Sequence, residues 1–138
     1  MKTIQWLTLP FVSIFLIQCS TSPQKTEVCT QEFITYPIAV LGADGEPADS
    51  VQIQVTNEET GQIYNICSEE QNVCAGGNNG RYTIMHDGFH GKISTEGEDI
   101  LVSGEKGQLQ FQAKYTFRSG ECHLQKLAGP DTVSLSKK

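Results

Sequence analysis

Positive charge is scarce in this chain: ten Lys and Arg stand against sixteen Asp and Glu among 138 residues, a formal net charge of −6. A polybasic surface that would neutralise phosphate backbones is therefore excluded, and nucleic acid is not an expected partner. Long apolar runs are also missing. The longest, residues 4–17, is interrupted by Pro10 and falls short of the roughly 20 residues that a membrane-crossing helix needs, which rules out a multi-span protein. No window after residue 28 carries an apolar stripe at a 3.6-residue period, so helical layers are not expected. There is no internal repeat, no Gly-x-Ser-x-Gly elbow and no serine with a contextual mark of a nucleophile. The glycine cluster Gly76-Gly77-Asn78-Asn79-Gly80 lacks the lysine and helix of a phosphate loop. With 38% hydrophobic residues, the chain also has too much apolar content for a long disordered tail.

What is present begins with Lys2 followed by the apolar stretch, the layout of a secretory signal peptide over residues 1–18. The stretch ends Leu16-Ile17-Gln18-Cys19, which resembles the lipobox of bacterial lipoproteins, with Gln18 departing from the small residue usual there. The resemblance implies cleavage before Cys19 and acylation of its sulfur, with chains such as palmitate binding the bilayer at about 0.8 kcal/mol per buried CH₂. The plainer reading is ordinary signal cleavage that leaves Cys19 a thiol. Ser20, after the cysteine, implies sorting to the outer membrane, facing the periplasm, if the source is Gram-negative. Polar, Pro-bearing residues 20–28 read as a tether, so Cys19 and these residues link the membrane to a domain over 29–138.

Past residue 28 the period is two. Val51, Ile53 and Val55 alternate with Gln52 and Gln54 over 50–56, a half-buried strand. Residues 33–41 form another, with Pro37 pushing it toward an edge. Residues 57–61 turn into 62–66, and further strands are expected at 80–85, 91–95, 100–103, 108–117, 122–126 and 132–136. Turn clusters at 43–45, 76–80, 96–98 and 128–130 separate them. The pattern predicts an all-β domain, a single antiparallel β-sandwich of about seven to eight short strands with Greek-key connections.

Five cysteines make an odd count. With Cys19 as anchor, Cys29, Cys67, Cys74 and Cys122 remain for two disulfides in an oxidising compartment. Three pairings are open, and the favoured one joins Cys67 to Cys74 as a local clasp and Cys29 to Cys122 across a long loop. Cys67-x6-Cys74 is too loosely spaced for a zinc site on thiolates.

The opening Cys29-Thr30 with Tyr36-Pro37-Ile38-Ala39-Val40, the turn Ala43-Asp44-Gly45-Glu46-Pro47-Ala48, the strand Gly80-Arg81-Tyr82-Thr83-Ile84, the Gly88 and Lys92-Ile93-Ser94 segment, and Gly120-Glu121-Cys122-His123-Leu124 together resemble the carboxypeptidase regulatory-like family. The chain departs from it at the Cys67–Cys74 segment and the long 108–117 strand. The resemblance covers about residues 29–136. It implies a transthyretin-like sandwich, a Cys29–Cys122 bridge, and an accessory, adhesive or stabilising role.

Chemistry concentrates at His86-Asp87-x-x-His90, three potential zinc or copper ligands within one short segment. The alternative is a polar hairpin tip, because Asp87-Gly88 is a common turn dipeptide. His123 would add a ligand only if the fold brought it near; otherwise it is an imidazole exposed on a strand. The carboxylate pairs Glu58/Glu59, Glu69/Glu70 and Glu98/Asp99 read as solvated surface. Tyr36, Tyr64, Tyr82, Phe89, Phe111, Tyr115 and Phe117 fall at strand spacing and read as core. The expectation is a non-enzymatic envelope lipoprotein without cofactor, bound to the bilayer through Cys19 and to an envelope protein or glycan through loops or a sheet edge. A periplasmic metal-binding protein using His86, Asp87 and His90 is the second reading, and a hydrolase inhibitor the third.

Overall fold

The computed structural model describes residues 28–66 and 79–138. In chain order these give β1 (Thr35–Leu41), β2 (Gln52–Asn57), β3 (Ile63–Tyr64), β4 (Arg81–His86), a 3-10 turn (Asp87–Phe89), β5 (Glu98–Lys106), β6 (Leu109–Ser119), β7 (Leu124–Ala128), β8 (Thr132–Ser134) and β9 (Ser136–Lys137). The protein is all-β, in two sheets. One has the order β4-β1-β8; the other runs β3-β2-β5-β6-β7, with β9 also paired to β6.

Alternation fixes which side chains enter the core. In β2 and its approach Val51 and Val55 are buried, while Gln52 and Gln54 are exposed. In β6 Phe111, Tyr115 and Phe117 are buried and Gln112, Lys114 and Arg118 are exposed. Ile38, Val40, Tyr82 and Ile84 from the first sheet join Val55, Ile100, Val102, Phe111, Tyr115 and Phe117 from the second in one cluster. Tyr36 reaches across, its ring edge-on to Phe117 with centroids 5.2 Å apart. Of the seven aromatics expected in the core, six are buried and Tyr36 packs against them half-buried.

Three local expectations are corrected. β1 lies between β4 and β8 and is no edge strand. Pro37 is accommodated because it falls at a bulge: the register steps from Tyr36↔Met85 to Pro37↔Thr83, so no ladder N–H is required of it. β8 pairs only with Ala39–Leu41 and leaves Pro37 clear. The extra residue on β4 breaks alternation there, and Ile84, Met85 and His86 are all buried. Second, β1 and β8 run parallel, so the pairing is not wholly antiparallel. Third, residues 91–95 form no strand. Gly91, at φ +77°, turns the chain, its N–H donates to Ser119 Oγ at 3.0 Å, that hydroxyl donates to Ile93 O at 2.6 Å, and the Ser119 N–H donates to Ser94 O at 3.0 Å, so one residue at the end of β6 holds the segment without a ladder.

At the C-terminal end the chain passes from one sheet to the other through a single residue. Leu135, buried between β8 and β9, donates its N–H to Leu41 O at 2.8 Å, and Lys138 N–H donates to Gln108 O at 3.1 Å. Cys29 and Cys122 form a disulfide. Cys67 and Cys74, the expected second pair, lie outside the described residues, so one bridge stands where two were expected.

Candidate functional site

The residues that carry chemistry gather where β4 ends, because the chain turns sharply there. The Asp87–Phe89 turn begins on His86, whose Nδ1 accepts the Gly88 N–H at 3.0 Å. That acceptor role places the ring proton on Nε2, which donates to Ile66 O at 3.3 Å. The His86 ring lies 5.4 Å from Phe33 and 4.8 Å from Phe89. Burial pushes its pKa below the ordinary value, outweighing the bond to Ile66 and the charge of Asp87, which pull the other way.

Asp87 points elsewhere. Its Oδ2 accepts from Ile34 N–H at 2.9 Å and lies 2.7 Å from His123 Nδ1, and its Oδ1 accepts from Leu124 N–H at 3.0 Å. Burial favours the neutral acid, but the bonds from Ile34, His123 and Leu124 outweigh it and hold the carboxyl below the usual carboxylate range. His123 continues the line, with Nε2 3.1 Å from Thr30 Oγ1. Its ring is mostly covered, which corrects the expectation of an imidazole exposed on a strand: His123 precedes β7 and pairs with Asp87. His90 is exposed and its Nε2 meets Gly120 O at 2.9 Å.

The three sequence candidates for a metal therefore face three different ways. Both nitrogens of His86 and both oxygens of Asp87 are engaged by the protein, and among the described residues no three His, Cys, Asp or Glu side chains are grouped to hold a metal ion. Residues 28–34 carry no strand and are fastened instead by Cys29–Cys122, Thr30 to His123, and a reciprocal pair in which Ile34 N–H meets Asp87 Oδ2 and Asp87 N–H meets Ile34 O at 3.0 Å. Tyr36 OH adds a hydrogen bond to Leu124 O. Nothing local in the sequence marks Thr30 or pairs Asp87 with His123, 36 positions apart; the Cys29–Cys122 pairing is the signal that draws them together.

Away from this node, Lys114 Nζ bridges Glu58 at 2.7 Å and Asp99 at 2.9 Å on an open face. Glu98 is not a solvated carboxylate: half-buried, it accepts from Asn57 Nδ2 at 2.7 Å, Tyr64 OH at 3.1 Å and Ser94 N–H at 2.7 Å. Glu69, Glu70 and the expected lipidation site Cys19 lie outside the described residues, among which no helix is long and apolar enough to cross a membrane. Compared with known proteins, the chain matches no family model, no curated protein and no solved structure.

Proposed function

We propose that the chain is a bacterial envelope lipoprotein: an acylated Cys19, a tether of residues 20–28, and a Greek-key β-sandwich of the carboxypeptidase regulatory-like type. It works as a binding or accessory module for an envelope protein or glycan. The observation that carries this reading is the fastening of residues 29–34, immediately after the tether. A disulfide, the Asp87 carboxylate and two further hydrogen bonds fix the strandless entry of the chain to the body of the domain. A module held by its N-terminal end needs that end secured, because chain termini otherwise fray first. The shared core of the two sheets supports the sandwich.

Intact-mass measurement of the mature protein from bacterial envelopes tests the anchor. The expected product starts at Cys19 and carries acyl mass, and Cys19→Ala abolishes that mass and moves the protein from the membrane to the soluble fraction. An unacylated mature chain would sink the proposal.

A further inference from the structure

Thr30, His123 and Asp87 lie on one line of hydrogen bonds that, besides helping to fasten the entry of the chain, ends on an exposed hydroxyl. A carboxylate only accepts, so His123 Nδ1 donates to Asp87 Oδ2 across 2.7 Å. In the neutral imidazole Nε2 is then a bare acceptor, and the Thr30 hydroxyl donates to it across 3.1 Å. Asp87 is itself held by the amides of Ile34 and Leu124, so the ring it orients is fixed. A hydroxyl bonded to a base, with the base oriented by a third group, is the signature of an activated nucleophile. Thr30 is exposed, and with His123 it lines a surface cleft of about 270 Å³ that Val28, Glu121 and Gln125 help to wall. That space is small beside drug-sized pockets and suits a short acyl group. The bond from Thr30 to His123 adds to the fastening by the disulfide and the Asp87–Ile34 pair, and it also sets a hydroxyl on a cleft.

We propose that Thr30 is the nucleophile of an acyl-transfer centre acting on small esters, with His123 as general base and Asp87 as positioning residue. Thr30 Oγ bonds to the ester carbonyl carbon while its proton passes to His123 Nε2. The carbon–oxygen bond to the leaving alcohol breaks, and His123 returns the proton to that oxygen, leaving the acyl group on Thr30. Water, deprotonated by His123, then cleaves this ester, releases the acid and restores the hydroxyl. The centre is built from the folded domain alone and does not depend on Cys19.

The full mature chain, disulfide intact, is treated with a fluorophosphonate, and with 4-nitrophenyl acetate as substrate; adducts are located by peptide mass spectrometry. One phosphonyl group on Thr30 is expected, and Thr30→Val abolishes both labelling and ester turnover. Thr30→Ser labels at least as fast, because a primary hydroxyl is less hindered. His123→Gln lowers both rates by about 100-fold or more, the usual worth of a general base. A folded chain in which Thr30 takes up no more reagent than the Thr30→Val background overturns the proposal, and so does turnover unchanged in Thr30→Val. Should His123→Gln not fold, the Thr30→Val and Thr30→Ser pair, at an exposed position, still decides the matter.

Discussion

His86 is a titratable side chain in a setting that suits only its neutral form. It is 3% exposed, lies between the Phe33 and Phe89 rings, and uses one nitrogen as donor and the other as acceptor. Protonation would put a proton on Nδ1 facing the Gly88 N–H and a charge among rings. Burial lowers the folded-state pKa below the ordinary value of 6.5, so in mild acid the unfolded chain takes up a proton that the folded chain refuses. The sign follows: this contribution to stability is present above pH 6.5 and is lost as the pH falls through that value toward the folded pKa. Asp87, also lowered, acts in the same direction at lower pH, below its ordinary 3.8. Urea midpoints are therefore expected to fall between pH 7 and pH 5.5, and His86→Gln to flatten that part of the curve. An identical slope in the variant would contradict the assignment to His86.

At the scale of elements, the β5–β6 hairpin depends on one residue that has no side chain. Gly104 faces Phe111 across the ladder, and a Cβ on it would lie 2.2 Å from the Phe111 ring. Gly104→Ala is expected to cost about 1–3 kcal/mol through displacement of that ring, measured as a lower urea midpoint. Gly107, in the turn at φ +61°, has nothing within 4 Å of such a Cβ, so its replacement by Ala costs only backbone strain of about 1–2 kcal/mol. Equal fluorescence and near-ultraviolet dichroism in Gly104→Ala and wild type would show that Phe111 has not moved. Val51, Ile53 and Val55 announced their strand because period two is a local pattern. The parallel partner of β1 could not be read the same way, since parallel and antiparallel strands alternate alike. Pro37 was legible as a missing donor, but a bulge accommodates it as well as an edge does. The site was less legible than the fold. His86, Asp87 and His90 share a short segment, and proximity in sequence suggested convergence; the 3-10 turn sends them apart, and the partner of Asp87 comes from before β7.

At the scale of the whole molecule, two devices join distant parts of the chain. One is the passage through Leu135, which ties β1 of one sheet to the β6 side of the other within a few residues. The other is Cys29–Cys122, which spans a sequence separation of 93. Closing a loop of that length removes about 4–5 kcal/mol of unfolded-chain entropy in the chain-entropy model. The paired Cys29→Ser, Cys122→Ser variant is expected to lose about that much stability in urea or thermal unfolding, as is wild type under a dithiol reductant. Unchanged stability in both would show that the rest of the fold already restrains the ends.

The bridge also decides how tension travels. Force applied to residue 28 reaches Cys29 and crosses at once, through a covalent bond, to Cys122 at the threshold of β7. β1, with its interrupted ladder at Pro37, lies further along the chain than the bridge. Load entering at Cys29 is therefore shared with the start of β7, which pairs with β6, before it reaches the strand that begins the fold.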